Sequence, residues 1–501
     1  MSAAFLALAL LWATPAESSS HAVLEVPAGE VEIWTLGQDR ILIRTLSPPS
    51  QYGNAMLFSG GRAWAYNHAY RQITRLPEGT PPPFTVTSTG VKLRSIDENE
   101  PIDASMFEVG RLAGPSGVHV GFEMKTLWAI FHDYGASPIF PGTLSIPSQQ
   151  GRIMADFDHD WFTAEAHLVI SHATWNMDNP LFRLFGSNLV VTRVTETLPL
   201  QADLASIPGD DSGRRIETRI RLDRLWTRAR TPLFDLTVGR QPITYGTAAI
   251  YQTLDRIVPL PPFSIDREYK PGVDAARLDV HLAEATELML VYALGGDEKP
   301  SDARMAAVLR GPVASGEGLL VASLLREMPL FGAGYEIDVS GWTLRGEGSV
   351  ALVPNALDTT PAFGMATVGF EHAFDFGLDL VMEANYFGFG ANHTRDYPAV
   401  LYHPRILNGD VPFFFGSRFA GLFASYPISS WLSANSLVSV SLVDGSVYLY
   451  PTLTGSIDRA QLIFYGIIPF GARGVHPLQP SNELDLSTHG VMTELRIFFG
   501  S

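Results

Sequence analysis

Arg215–Asp223 reads RIETRIRLD. Ile216, Thr218, Ile220 and Leu222 share one parity, and Glu217, Arg219, Arg221 and Asp223 share the other. Successive side chains on a strand point to opposite faces, so this segment has one largely apolar face and one charged face. The pattern recurs. Ala276, Leu278, Val280 and Leu282 alternate with Arg277, Asp279 and His281, and Leu378, Leu380, Met382 and Ala384 oppose Asp379, Glu383 and Asn385. Val491, Thr493, Leu495, Ile497 and Phe499 alternate with Glu494 and Arg496. Helical periodicity is scarce. Such faces suit lipid outside and water inside, and equally a soluble sandwich with one wet face.

Connection lengths separate the two. Gly388–Phe415, Gln241–Val273 and Phe470–Gly490 are long, whereas Gly455–Asp458, Ala373–Gly377, Ala283–Thr286 and Thr227–Pro232 are short. Asp444-Gly445 is tight where the alternation asks for a long loop. Short turns on one side and long loops on the other are the layout of an outer-membrane barrel. The expected fold is therefore all-β: a closed antiparallel transmembrane barrel of about 16–18 strands, with long extracellular loops and short periplasmic turns. Roughly sixteen strands are expected between Asn188 and Phe499 on the short-segment template. Val118–Phe131 and Ile153–Ile170 are expected to supply two more. Aromatics at Phe413, Phe414, Phe415, Tyr386, Phe387, Phe389, Tyr448, Tyr450, Trp431, Phe498 and Phe499 are expected to form interfacial girdles.

Composition agrees. The 501 residues include 45 glycines and 35 prolines, no cysteine, and only 17% charged residues, below the roughly 25% usual for soluble domains. Mean hydropathy is +0.10. After the first sixteen positions no apolar run reaches the ~18 residues of a helical span. The net charge of −17 argues against nucleic-acid binding, which needs a basic footprint. Residues 1–16, MSAAFLALALLWATPA, have the apolar core and small-residue end of a signal peptide. Residues 17–105 read as a periplasmic or plugging segment or as the first strands, leaving 106–501 for the barrel.

Thr237–Gly246, TVGRQPITYG, followed by Asp266–Val280, DREYKPGVDAARLDV, carries a resemblance. This strand–loop–strand unit is similar to one in porin-like outer-membrane proteins of proteobacteria, and the layout broadly resembles the alginate-export and phosphate-selective porin families. In those barrels the chain often ends in an aromatic residue; here Phe499 is followed by Gly500 and Ser501. The resemblance implies a barrel and says nothing of the solute.

The charged faces predict a lumen lined by Glu217, Arg219, Arg221, Asp223, Arg277, Asp279, His281, Asp379 and Glu383. The long loop, carrying Arg240, Asp255, Asp266, Arg267 and Lys270, is expected to fold inward as a constriction. Asp156, Asp158 and Asp160 share one strand face and read as a water-facing strand end; no metal or cofactor site is expected. Nucleophile-elbow, zincin, P-loop and Rossmann patterns are absent, so no enzyme activity is expected. The expected function is passive passage of small solutes through the bacterial outer membrane. The expected partners are the lipid bilayer, lipopolysaccharide and the insertion machinery. The competing readings are a closed structural or adhesive barrel acting through its loops, and a secreted all-β carbohydrate-active enzyme. Val280→Arg is expected to cost roughly 2–4 kcal/mol if Val280 meets the mid-bilayer, and Asp279→Arg is expected to leave folding largely intact and to shift ion preference.

Overall fold

The computed structural model describes residues 117–132, 143–159, 161–176, 203–211, 214–258, 270–283, 285–295, 303–353, 361–401, 403, 414–457, 459–471, 482 and 489–500. It also describes seven strands between residues 19 and 98, at backbone level. The segment 1–16 lies outside the described residues.

The seven strands are β1 (Ser19–Val26), β2 (Gly29–Leu36), β3 (Arg40–Ser47), β4 (Ala55–Ser59), β5 (Arg62–Asn67), β6 (Gln72–Arg75) and β7 (Lys92–Glu98). They pair antiparallel in the order β6-β5-β4-β3-β2-β1-β7, as a sheet of their own.

The barrel begins with β8 (Gly117–His132), β9 (Thr143–His159) and β10 (Phe162–Asn176). A short β11 (Asp203–Asp211) precedes β12 (Arg214–Arg230), β13 (Phe234–Gln241), β14 (Val273–Ala283), β15 (Thr286–Ala293), β16 (Arg304–Val313), β17 (Gly316–Leu325) and β18 (Met328–Val339). The wall continues through β19 (Trp342–Leu352), β20 (Ala362–Ala373), β21 (Asp379–Phe387), β22 (Arg418–Ser429), β23 (Leu432–Ser441), β24 (Val447–Ile457), β25 (Ala460–Phe470) and β26 (His489–Gly500). β10 pairs with β12 along its whole length, from Phe162 opposite Ala229 to Asn176 opposite Arg214. β11 takes the other side of β12 only beyond the end of β13. It is thus an extension of the wall, and the closed antiparallel barrel has 18 strands. β26 pairs with β8 to close it. A single turn of helix, α1 (Tyr397–Leu401), lies between β21 and β22. No helix among the described residues is long and apolar enough to cross a membrane.

The strand count agrees with expectation, but its division differs. Ile153–Ile170 is two strands, because the chain reverses between His159 and Phe162. The alternation of connections holds. The short turns gather at one end, here the turn end, between pairs such as β14–β15, β18–β19 and β24–β25. At the opposite, loop end stand the segments 242–272 and 388–417. Ser441–Ser446 is tight as expected, and so is Arg326-Glu327 between β17 and β18. Local chemistry sets these turns. Ser340 and Gly341 both adopt positive φ, 54° and 80°, the combination that a two-residue hairpin needs to match strand twist.

Gly239 is the most constrained glycine. Its φ is +117°, and an added Cβ would lie 2.2 Å from the Leu225 carbonyl oxygen. Gly239→Ala is therefore expected to cost about 1–3 kcal/mol or more, read as a lower urea midpoint. An unchanged midpoint would contradict the conformation described.

Face assignment follows the alternation. Leu290, Tyr292, Leu320, Phe331 and Val368 are exposed on the outside, while Met289, Val291, Val321, Leu330 and Thr367 are buried inside. Several expected girdle aromatics obey strand parity instead. Tyr386, Trp431 and Phe499 are exposed, but Phe387, Phe415, Tyr448, Tyr450 and Phe498 are buried. Phe387 and Phe498 are the inward neighbours of outward residues. Phe413 lies outside the described residues. Trp161, Trp342, Phe376 and Trp431 mark the turn end, and Trp128, Tyr292 and Tyr386 mark the loop end. Aromatic belts at both rims of an apolar band are the signature of a membrane-facing barrel.

Candidate functional site

The long segment after β13 turns inward. Ile243, Leu254, Asp255, Ile257, Val258 and Lys270 have essentially no exposed surface. Ile243, Tyr245, Leu254, Ile257 and Val258 pack on the inner face of β14–β17, against Val273, Ala275, Met289, Val291, Ala306, Val308, Leu319 and Val321. This part of the inner wall is apolar, a stretch that the charged positions named from the sequence do not include. The reason is coverage: both faces of these strands are removed from water, one by the loop. Farther round, Ile250 and Tyr251 join Val381, Phe419, Leu437 and Tyr450. Glycines make the seat. An added Cβ on Gly332 would come within 2.3 Å of Leu254, and one on Gly421 within 2.8 Å of Tyr251.

An irregular buried segment must satisfy its backbone polar groups outside regular structure. Two inward carboxylates do this. Glu347 on β19 accepts from the amides of Thr247 (2.9 Å), Ala248 (3.2 Å), Thr253 (2.5 Å) and Leu254 (3.2 Å). Glu383 on β21 accepts from Ala249 (2.6 Å), Ile250 (2.9 Å) and Tyr251 (2.8 Å). Arginines take the carbonyls. Arg310 donates to Tyr245 O (2.8 Å), Arg345 to Thr247 O (3.3 Å), and Arg304 to Arg256 O and Ile257 O (3.1 and 3.0 Å). Tyr251 reaches Ser439 on β23 at 2.6 Å, so the segment crosses the lumen from β14 to β23. Glu383, expected as a charge open to solute, is instead spent on holding this loop.

Arg240 stands at the root. It grips Asp274 with two nitrogens (2.9 and 2.6 Å) and donates to Leu222 O at 2.7 Å. Lys270 donates to Asp255 at 2.6 Å and to Thr244 at 3.0 Å. Burial raises the pKa of Asp255 and lowers that of Lys270, because desolvation penalises the charged forms. Burial also raises the Tyr245 hydroxyl. Asp266 and Arg267 lie outside the described residues.

The other charged positions fall in two groups. On β8–β12 the register shift at His167/Leu168 lets Asp223 and Arg224 both turn inward. Arg152 bonds Asp223 at 2.5 Å, and Arg224 bonds Glu165 at 2.8 Å. Glu123 and Lys125 are 3.3 Å apart in the same patch. Arg219 and Arg221 share this face, half-buried; the side chain of Glu217 lies outside those described. Asp158 is held by Thr163 (2.7 Å) and Arg230 (3.2 Å), and Asp160 lies outside the described residues. Below the loop, towards the turn end, sit Arg277 with Asp279 (2.8 Å) and His281 with Asp235 (3.4 Å). Glu287 lies opposite Arg310, Glu317 opposite Glu336, and Glu336 opposite Arg345, which also pairs with Glu371. Asp379 sits at the exposed rim of this end. Asp279 is buried, so Asp279→Arg would place a second cation beside Arg277, contrary to the tolerance expected from sequence.

Glu347, Arg304, Arg310 and Arg345 escaped the sequence reading. Glu347 and Arg345 lie on Trp342–Leu352, WTLRGEGSVAL, and Arg304 and Arg310 on Arg304–Val313, RMAAVLRGPV, which is poor in alternation like its neighbour Thr286–Ala293, TELMLVYA. Near-continuous apolar runs of that kind signal strands buried on both faces, which was the available clue that something covers the inner wall.

No family model matches the chain, and no curated protein does. Solved structures do. They include OccAB2 of Acinetobacter baumannii, at 8% identity and a TM-score of 0.46, covering 77% of this chain and 98% of that one. The outer membrane protein opdK of Pseudomonas aeruginosa matches at 10% identity and 0.41, covering 77% and 98%. OprB of Pseudomonas putida matches at 10% and 0.34, covering 76% and 92%.

Proposed function

We propose that this chain is a channel of the bacterial outer membrane that passes small polar solutes by diffusion. The observation that carries it is the loop 242–258, seated across the lumen on Glu347 and Glu383 inside a closed barrel of apolar exterior. An exterior of Leu, Val and aromatic residues disfavours a soluble sandwich enzyme, whose apolar faces would be stacked on each other. A loop clamped across the interior narrows the path and sets its field, which is what a constriction does. The short turns then face the periplasm and the loops the outside, with lipid and lipopolysaccharide around the wall. The inner charges Arg277, Asp279, His281, Asp379, Arg219, Arg221 and Asp223 belong to the lining, and Arg240, Asp255 and Lys270 to the constriction.

Selectivity follows from the region below the loop. Asp235, Asp279, Glu287, Glu317, Glu336 and Glu371 there outnumber Arg228, Arg277, Arg310 and Arg345. The pore is therefore expected to prefer cations. Reconstitution in a planar bilayer should give discrete conductance steps, and a salt gradient should give a reversal potential of cation-selective sign. Folded protein that inserts without conducting would favour the closed, loop-presenting barrel. An anion-selective potential would overturn the charge assignment.

A further inference from the structure

We propose that the Lys270 side-chain amine and the Asp255 side-chain carboxyl condense into an intramolecular amide, which rivets the inward segment to the stretch that leads into β14. Three observations point there. First, Lys270 Nζ lies 2.6 Å from Asp255 Oδ2, and neither side chain has more than a trace of exposed surface. Second, among the described residues Asp255 Oδ1 is buried with no well-formed hydrogen bond, only a backbone donor at Tyr245 acting on the carboxyl, although an ionised carboxylate in an apolar core calls for donors at both oxygens. Third, Ile243, Leu254, Ile257, Val258 and Val273, close in sequence to the pair, form one buried apolar cluster, and the Glu347 carboxylate shares the space beside Gly246 with Asp255. A Cβ built on Gly246 would lie 3.2 Å from Glu347 Oε2 and 3.4 Å from Asp255 Cβ.

The chemistry balances without any further reactant. The neutral amine attacks Asp255 Cγ, forming the Nζ–Cγ bond. The Cγ–O bond to the carboxyl hydroxyl breaks. That hydroxyl leaves with one amine hydrogen as water, and no atom changes oxidation state. Burial drives Lys270 towards the free amine and Asp255 towards the free acid, the forms the step consumes; a desolvated lysine is the usual nucleophilic one. The Glu347 charge further disfavours ionised Asp255.

Intact-mass spectrometry of the folded, detergent-purified protein tests this. The expected mass is lower by one water than that of the open polypeptide with the same termini. Trypsin should then release Gln241–Arg256 joined to Glu268–Arg277, and Lys270→Arg should restore the full mass. Two separate, unmodified peptides would overturn the proposal and leave an ordinary buried ion pair. So would a water lost from Gln241–Arg256 alone, or a loss that persists in Lys270→Arg, since either marks a local ring at Asp255-Arg256. Should the variant fail to fold, the peptide map of the unaltered chain decides.

Discussion

Replacing Glu347 and Glu383 together by glutamine is expected to unseat the inward loop and add a long-lived state of higher conductance. Seven loop amides point at these two carboxylates: those of Thr247, Ala248, Thr253 and Leu254 at one, and Ala249, Ile250 and Tyr251 at the other. A glutamine keeps the shape but turns one acceptor oxygen into a donor, so it meets amide hydrogens with its own. A hydrogen bond to a charged group contributes about 1.5–3 kcal/mol. Losing even one at each site shifts the balance between seated and released loop by about 10- to 100-fold per site. The apolar contacts of Leu254 and Ile257 resist release near the root, so the region around Tyr251 should free first and Glu383→Gln alone should show part of the effect. The measurement is single-channel recording on variants whose gel mobility still shifts with heating. Traces indistinguishable from the parent protein would mean that the loop does not limit flow.

The second large effect is on stability. Val368 on β20 is 61% exposed, and lies between Gly346 and Ala384 on the neighbouring strands. Towards the turn end the outward row reaches Phe370 and Trp342; towards the loop end it reaches Tyr386, opposite Ala366. Val368 is thus between the two aromatic belts. Val368→Arg is expected to cost about 2–4 kcal/mol, against about 0–1 for the same change near an interface. Val280 is of the second kind, since it pairs with Phe234 beside the turn after β12. Urea unfolding in lipid vesicles should therefore separate the two variants. Equal costs would show that the apolar band is placed wrongly.

Much of this architecture was legible. RIETRIRLD and VDAARLDV alternate because one face meets the outside and the other a charged interior, and the length of 242–272 marked the loop that folds in. Clustering of aromatics overstated the belts, because it passed over the parity that sets Tyr386 outward with Ala384 and Phe387 inward with Asn385. Three things were not legible. The apolar inner wall of β14–β17 exists only because a distant loop covers it, and no local window contains that contact. The partners of Glu383 are backbone amides more than a hundred residues away, and a carboxylate bound to amides looks in sequence like one facing water. Depth failed for a related reason: where Val280 sits along the bilayer normal depends on the stagger of neighbouring strands, which alternation does not encode.

The seam between β8 and β26, where Gly121 lies beside Gly500, bears on biogenesis. Joining the first and last staves of the wall is the longest-range strand pairing among the described residues, and non-local pairing of that kind is slow. Until it forms, both margins present unpaired amides and carbonyls, a template for pairing with any other chain. A polypeptide kept apart from its siblings until its final stave is available escapes that pairing.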